Sequence, residues 1–164
     1  MTATLTIRPA ADGDVHAIWR IHTAAIEATC AGHYPEEVID AWIERLKPES
    51  YRGVVRRGGV VIAEHDVQAV GFGQIDLPNG EIQAVYVAPD AQCQGVGAAL
   101  LAHLERLAAH QGMARITLKA TINAEAFYAT RGWRTIGHDL HKITQDIGLK
   151  CIAMEKDLSS PAQK

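Results

Sequence analysis

Between residues 81 and 121 the hydrophobic period changes twice, and this limits the fold more than any other feature of the sequence. EIQAVYV (81–87) reads as an apolar strand, and ARITLKAT (114–121) reads as another. Between them, Gly97–Gln111 sets Leu100, Leu101, Leu104, Leu107 and Ala108 on one side of a helix that Gly112 stops. A strand–helix–strand passage is a crossover, which returns the chain to the same sheet with the helix packed on one face. Ahead of it the period is two. From Tyr51 to Val87, VVRR, VVIAEH, AVGFGQIDL and EIQAVYV read as successive antiparallel strands, with turns at Gly58-Gly59, His65-Asp66 and Pro78-Asn79-Gly80.

The flanks complete the order. TLTIRPA (4–10) alternates as an opening strand, and Asp12 and Asp14 stand where N-caps belong. Val15, Ile18, Trp19, His22, Ala25 and Ile26 recur at helical spacing until Cys30-Ala31-Gly32 breaks the run. Pro35, Glu36 and Glu37 open a second helix with Val38, Ile39, Trp42 and Leu46 on its apolar side, ended by Lys47-Pro48. Residues 123–132 form a short helix, and WRTIGHD and GLKCIAMEKDL (148–158) are closing strands. The expectation is one α+β domain over residues 1–158 and a polar tail over 159–164. Its mixed, mostly antiparallel sheet has about six or seven strands, flanked by about four helices.

Composition bounds the function. The 164 residues are 48% hydrophobic and 21% charged, so a core can form without a metal or disulfide staple. Three widely spaced cysteines, Cys30, Cys93 and Cys151, suit a reducing compartment. The opening MTATLTIRPAADGD has neither a leader's apolar run nor an Arg-rich amphipathic pattern, and no stretch nears the roughly 20 apolar residues of a membrane span. These readings place the protein in the cytoplasm without a membrane partner. The formal net charge is −3 and the cations are scattered, so no basic face for nucleic acid emerges.

The loop before the long helix, Gln92-Cys93-Gln94-Gly95-Val96-Gly97, fits two roles. A helix N-terminus presents unpaired amides and positive charge, and glycines there let the backbone close on a phosphate. Two glycines also serve simply to turn a strand sharply into a helix. A P-loop is excluded because no Lys follows Gly97 in register, and the dinucleotide fingerprint is excluded because Leu100 replaces its third small residue.

Gln-x-x-Gly-x-Gly (92–97), after an apolar strand ending V-Y-V-A-P and before a Leu-rich helix, resembles motif A of the GNAT superfamily of N-acetyltransferases. A-T-I-N-A-E-A-F-Y-A-T-R-G-W (120–133) resembles that family's next block, and T-I-R-P-A…D and I-A-M-E-K-D-L resemble its two ends. The resemblance spans nearly the whole chain. It implies a sheet whose central strands splay, with acetyl-CoA as co-substrate. It implies that Gln92, Cys93, Gln94, Gly95, Val96, Gly97 and Ala98 hold the pyrophosphate. Val85, Tyr86 and Val87 would then hydrogen-bond the pantetheine arm and orient the acetyl carbonyl, with Asn123 as a further contact. Asn123 also suits an N-cap.

Acetyl transfer to an amine requires a neutral amine, a stabilised oxyanion and a protonated leaving thiolate. A lysine-like amine with pKa about 10.4 is almost wholly protonated at pH 7, so its proton must be accepted somewhere. Tyr128 matches the family's general acid, a phenol able to protonate the thiolate; by itself it also reads as a core aromatic beside Phe127. Glu81 opens the strand that leads to the acetyl site and is the candidate base, sharing a face with Gln83 and Val85 if no bulge intervenes; it equally suits a turn-flanking surface position. His33, Tyr34 and Trp42, with Glu27, Glu36 and Glu37, are candidates for an acceptor pocket suited to a cationic amine, or else ordinary surface and core residues. His138 and His141 lack the further ligands of a zinc site, so no metal is expected. Cys93 has no base fixed beside it and reads as a filler.

The reading is an acetyl-CoA-dependent N-acetyltransferase acting on a small-molecule amine. The alternative is a coenzyme-A-binding sensor module without transferase activity. The resemblance also leaves a homodimer through the last strands open.

Overall fold

The computed structural model describes residues 4–158, and the 159–164 tail lies outside them. Among the described residues, five α-helices and seven strands follow one another along the chain. They are β1 (Leu5–Pro9), α1 (Val15–Ala25), α2 (Glu36–Arg45), α3 (Arg52–Arg56), β2 (Val60–His65), β3 (Gln68–Asp76), β4 (Glu81–Val87), α4 (Val96–His110), β5 (Arg115–Thr121), α5 (Glu125–Ala129), β6 (Arg134–Lys142) and β7 (Gly148–Asp157). One sheet contains all the strands in the order β1-β2-β3-β4-β5-β7-β6. Every pair is antiparallel except β4 with β5, which the α4 crossover makes parallel.

Both faces of the sheet are covered. On one, the apolar side of α4, with Leu100, Leu101, Leu104 and Ala108 at or near zero exposure, packs over Ile75, Ile82, Ile116, Leu118 and Met154. On the other, Val15, Ile18 and Ile21 of α1 and Val55 of α3 pack over Ile62, Phe72 and Ala84. A third cluster joins Ile26 and Cys30 to Val38, Ile39 and Trp42 of α2 and to Leu149 of β7. Arg8 fastens the first strand. Its guanidinium binds both Asp14 oxygens, at 2.8 and 2.9 Å, and donates from Nε to Glu64 at 3.0 Å. That partner holds the Asp14 carboxyl below its ordinary pKa, and the same carboxylate accepts the Ala11 amide at 2.7 Å.

Two segments differ from the sequence expectation. Residues 52–56 are helical, although their paired valines read as a strand. Tyr51 and Val55 are both buried, and their spacing of four puts them on one helix side. The helix ends on Gly58 at φ +83°, whose amide bonds the Val55 carbonyl. The first helix also does not simply stop at Cys30. It widens into a π-turn over Ile26–Cys30, a form found frequently at functional sites.

Gly59 sits where β2 begins, and a Cβ there would lie 2.5 Å from the Ile75 carbonyl oxygen. Gly59→Ala is expected to cost about 1–3 kcal/mol, because the obstacle is backbone. Gly13→Ala, with nothing within 4 Å of its added Cβ, should stay within about 0.5 kcal/mol of the parent. Urea unfolding midpoints check both, and equal midpoints for the two variants would contradict the packing described here.

Candidate active site

The site lies where the sheet fails to close. β4 and β5 pair through Glu81 with Thr117 and Ile82 with Leu118 and nowhere further along, so the rest of both strands borders a gap. The gap holds a cavity of about 450 Å³. Its walls come from both sides of the sheet: Gly97, Phe127 and Tyr128 from one, and Ala25, Thr29 and Cys30 from the other. Along β4, Ala88 donates to Val70 of β3 at 2.8 Å. Antiparallel alternation then turns the backbone groups of Val85 and Val87 away from β3, toward the gap.

The loop from β4 into α4 is tightly folded. Cys93 and Gly95 have φ +62° and +81°, and the Gln92 side chain ties the loop back to the Val87 carbonyl at 2.9 Å. A Cβ at Gly95 would meet nothing within 4 Å, so this glycine serves the left-handed turn. At Gly97 an added Cβ would touch the Phe127 ring at 3.4 Å, so the phenyl edge closes on the helix start. The first contact of α4 with this turn is the Ala99 amide to the Gly95 carbonyl at 3.0 Å. The amides of residues 93–98 therefore have no partner among the described residues, and the helix dipole adds positive charge beside them.

Tyr128 lines the cavity yet is only 7% exposed, edge-on to Phe127 and Trp133. Burial raises its pKa, so the phenol keeps its proton at neutral pH. Asn123 also lines the cavity, and its Oδ1 is buried without a partner. It does not cap α5, where Ala124 holds the cap position. Opposite stands Cys30, whose thiol faces the Thr29, Thr121 and Asn123 side chains and is pushed up in pKa by burial. Such a thiol stays protonated and is a poor nucleophile.

Glu81 does not share a face with Val85. β4 pairs with β3 through Gln74–Ala84 and Ile75–Ile82, leaving Gln83 as an extra, bulged residue. Ile82 accordingly packs under α4 while Ala84 packs under α1. The bulge turns Glu81 toward the α1 face, where it adds to the field on Lys119, whose ammonium pairs with Asp139 at 3.1 Å. Glu81 is thus next to the cavity wall residue Ile82 without itself lining the cavity. His33, Tyr34 and Trp42 do not line it either. His33 is exposed, and Trp42 is buried between α1 and α2. The Tyr34 hydroxyl is consumed by two backbone groups, donating to the Lys150 carbonyl and accepting from the Ile122 amide. Tyr34 therefore anchors the end of β5 to β7. His138 and His141 pair with Ile152 and Leu149, three apart on a strand, and so project from opposite faces. Among the described residues no cluster of three or more His, Cys, Asp or Glu is placed to hold a metal. Nor is any helix long and apolar enough to cross a membrane.

Residues 30–158 match the family model of the acetyltransferase (GNAT) domain. The chain belongs to the GNAT acetyltransferase family. Among solved structures, a GCN5-related N-acetyltransferase from Rhodopseudomonas palustris is 30% identical with a TM-score of 0.87, over 96% of this chain and 98% of that one. PaiA N-acetyltransferase from Thermoplasma acidophilum, solved with coenzyme A, is 22% identical with a TM-score of 0.76, over 94% of this chain and 99% of that one. YncA, a putative acetyltransferase from Salmonella typhimurium solved with acetyl-CoA, is 20% identical with a TM-score of 0.71, over 99% and 98% of the two chains. No curated protein sequence matches the chain.

This GNAT protein also brings to the cavity residues that the motifs did not single out. Thr29 and Cys30 arrive through the π-turn, which leaves no mark in the hydrophobic pattern. Lys119 and Arg131 are the charged residues of the lining. Arg131 lies within the 120–133 block, which holds the sequence signal for it.

Behind the α1 wall, His22 donates to or accepts from the Tyr51 hydroxyl through Nδ1 at 2.8 Å, while its Nε2 is shut from solvent without a partner. Its ring lies 4.3 Å from that of Tyr86, and burial lowers its pKa to about 3. The unfolded chain takes up a proton at His22 near pH 6.5, which the folded chain refuses until about pH 3. Stability from this residue is full above pH 7 and falls by up to about 1.4 kcal/mol per pH unit below pH 6. His22→Gln should flatten the decline between pH 6.5 and 5 in urea unfolding, and an unchanged slope would exclude His22 as its source.

Proposed function

We propose that this protein transfers the acetyl group of acetyl-CoA directly to the amine of a small-molecule acceptor. One observation carries the reading: a single cavity in the open sheet holds both the unpartnered amides of the 93–98 loop and the buried, neutral phenol of Tyr128. The first group suits an anion and the second suits a departing thiolate. The membership of the family and the relatives solved with coenzyme A and acetyl-CoA support the co-substrate.

The residues present fit such a ligand. The loop amides of 93–98 would take the pyrophosphate, with charge from the helix dipole, while the Gln92 side chain holds the loop to the Val87 carbonyl. The gap-facing groups of Val85 and the Val87 amide, with Tyr86 between them, would bind the amide-bearing pantetheine arm as an added strand is bound, while the Val87 carbonyl already accepts from Gln92. The orphaned Asn123 Oδ1 offers that arm a further acceptor. A gap-facing β4 amide would polarise the acetyl carbonyl, and Tyr128 would give its proton to the sulfur as the carbon–sulfur bond breaks.

The amine's proton leaves on the other side. The Gln83 bulge faces Glu81 toward α1, which supports its role as a base acting through water. The acceptor would approach beside Ala25, Thr29 and Cys30. His33, whose amide donates to the Cys30 carbonyl at 3.0 Å, would stand beside that approach, while Tyr34 and Trp42 would shape it from behind through their anchoring and packing. Three free thiols support a reducing, cytoplasmic setting.

Acetyl-CoA at 100 times its dissociation constant should stabilise the fold by about 2.7 kcal/mol, a rise of several degrees in Tm that NAD and ATP do not reproduce. Tyr128→Phe should keep that rise and lose about 10²–10⁴-fold in amine-dependent thiol release. Full activity in Tyr128→Phe would remove it as the acid. Stabilisation without thiol release for any amine of a broad panel would instead favour the sensor module.

A further inference from the structure

A second cavity adjoins the first. It has a volume of about 380 Å³ and lies between the end of α3 and the turn from β3 to β4. Val54, Leu77 and Pro78 give it apolar walls, and Arg57 and Asp76 give it one charge of each sign. Gln83, the bulged residue of β4, lines both cavities. Its Oε1 accepts from Gln74 Nε2 at 2.6 Å, which holds the side chain at the boundary. Gln74 pairs with Ala84, which packs under α1, so the boundary lies on the side of the sheet where the acceptor would approach.

Arg57 is free where nearby cations are not. Arg8 binds Asp14 and Glu64, and Arg56 pairs with Asp12 at 3.1 Å. Arg57 makes no ion pair and no side-chain hydrogen bond among the described residues. Its guanidinium folds back along α3, where a Cβ on Gly53, four residues earlier, would lie 3.4 Å from Nη1. Asp76 is differently placed. Its carboxylate accepts from the amide and the side-chain nitrogen of Asn79, at 3.4 and 2.7 Å. The cavity therefore holds an unengaged guanidinium beside a carboxylate that its own turn already uses. Glu27, Glu36 and Glu37, which the sequence offered for a cationic acceptor, line neither cavity.

We propose that this second cavity binds a carboxylate at the far end of the acceptor, so that the substrate is an amine joined through an apolar chain to a carboxylate, and Arg57 selects it. This rests on the acetyl-transfer reading of the first cavity. A planar guanidinium meets a carboxylate with two parallel N–H bonds. A monoanion fits better than a phosphate dianion, because Asp76 puts a second negative charge in the same walls. The apolar residues receive the chain, and Gln83 stands where it passes from one cavity to the other. Holding the two ends at separate places fixes which of them meets the thioester.

The test measures thiol release from acetyl-CoA with ω-amino acids of roughly four to eight carbons, a reach of up to about three residues of extended chain, each beside the n-alkylamine of equal length. At the best-fitting length the wild type should favour the amino acid at least about tenfold in kcat/KM, as one bidentate charge-assisted contact allows. Arg57→Met should bring the two within about twofold by raising KM for the amino acid rather than lowering kcat, and Arg57→Lys should fall between. An undiminished rise in Tm with acetyl-CoA shows that both variants are folded. Equal wild-type turnover of the two series would overturn the proposal and leave acetyl transfer standing. A preference that survives in Arg57→Met would overturn it as well, since another cation such as Lys119 would then read the carboxylate. No thiol release with either series, while acetyl-CoA still raises Tm, would overturn the carboxylate subsite alone. No response to acetyl-CoA in either measurement would overturn both readings.

Discussion

The loss of pairing between β4 and β5 beyond Ile82 and Leu118 is the constraint on which the rest of the structure depends. Each strand is held on its outer side and released on its inner one. β5 pairs with β7 from Arg115 to Thr121, and β4 pairs with β3 from Glu81 to Val87. The sheet is in effect two smaller sheets that share a short hinge. The Gln83 bulge bends β4 near that hinge. At the far end the Tyr34 hydroxyl fixes β5 to β7 through the Ile122 amide and the Lys150 carbonyl. The separation is thus built from covalent chain and satisfied hydrogen bonds.

Around the opening, burial keeps the titratable groups neutral while charges gather at the rim. Tyr128 and Tyr86 are raised in pKa by burial, Cys30 likewise, and His22 is lowered. Each shift has the same cause, the cost of placing a charge where water is scarce. The first three keep their protons and the fourth refuses one. A phenol that keeps its proton can donate it; the neutral imidazole stiffens the wall behind Tyr86 without adding charge to it.

Much of this was legible in the sequence, and the parts that were not share a physical reason. The α4 helix and its glycine loop are local features, set by leucine spacing and by left-handed turns, so residues 92–111 read correctly from pattern alone. The crossover gave the parallel pair, and the family resemblance gave the splay. The valines of the 52–56 segment favour a strand. Burial of Tyr51 and Val55 on one side decides for the helix, and burial depends on the whole fold. The Gln83 bulge and the π-turn at Ile26–Cys30 are insertions of one residue into a regular ladder or spiral. They hardly alter hydrophobic spacing, yet they re-aim Glu81 and bring Thr29 and Cys30 to the cavity. Tyr34 and Trp42 stood out as polar-aromatic candidates near a pocket. Tertiary contacts with distant strands and helices account for them, and no local pattern reveals those.

The gap also gives the sheet something unusual, a pair of strand edges in its middle. An unpaired edge is an invitation to any extended chain, and exposed edges are where β proteins aggregate. Here α4 and α5 stand over one face and the end of α1 over the other. A foreign β-strand, with side chains projecting to both faces, would collide with these helices. A slender chain bearing amides could meet the same hydrogen-bonding groups. Helices on both faces therefore cover the two inner edges, and a ligand that pairs with them must fit between those helices.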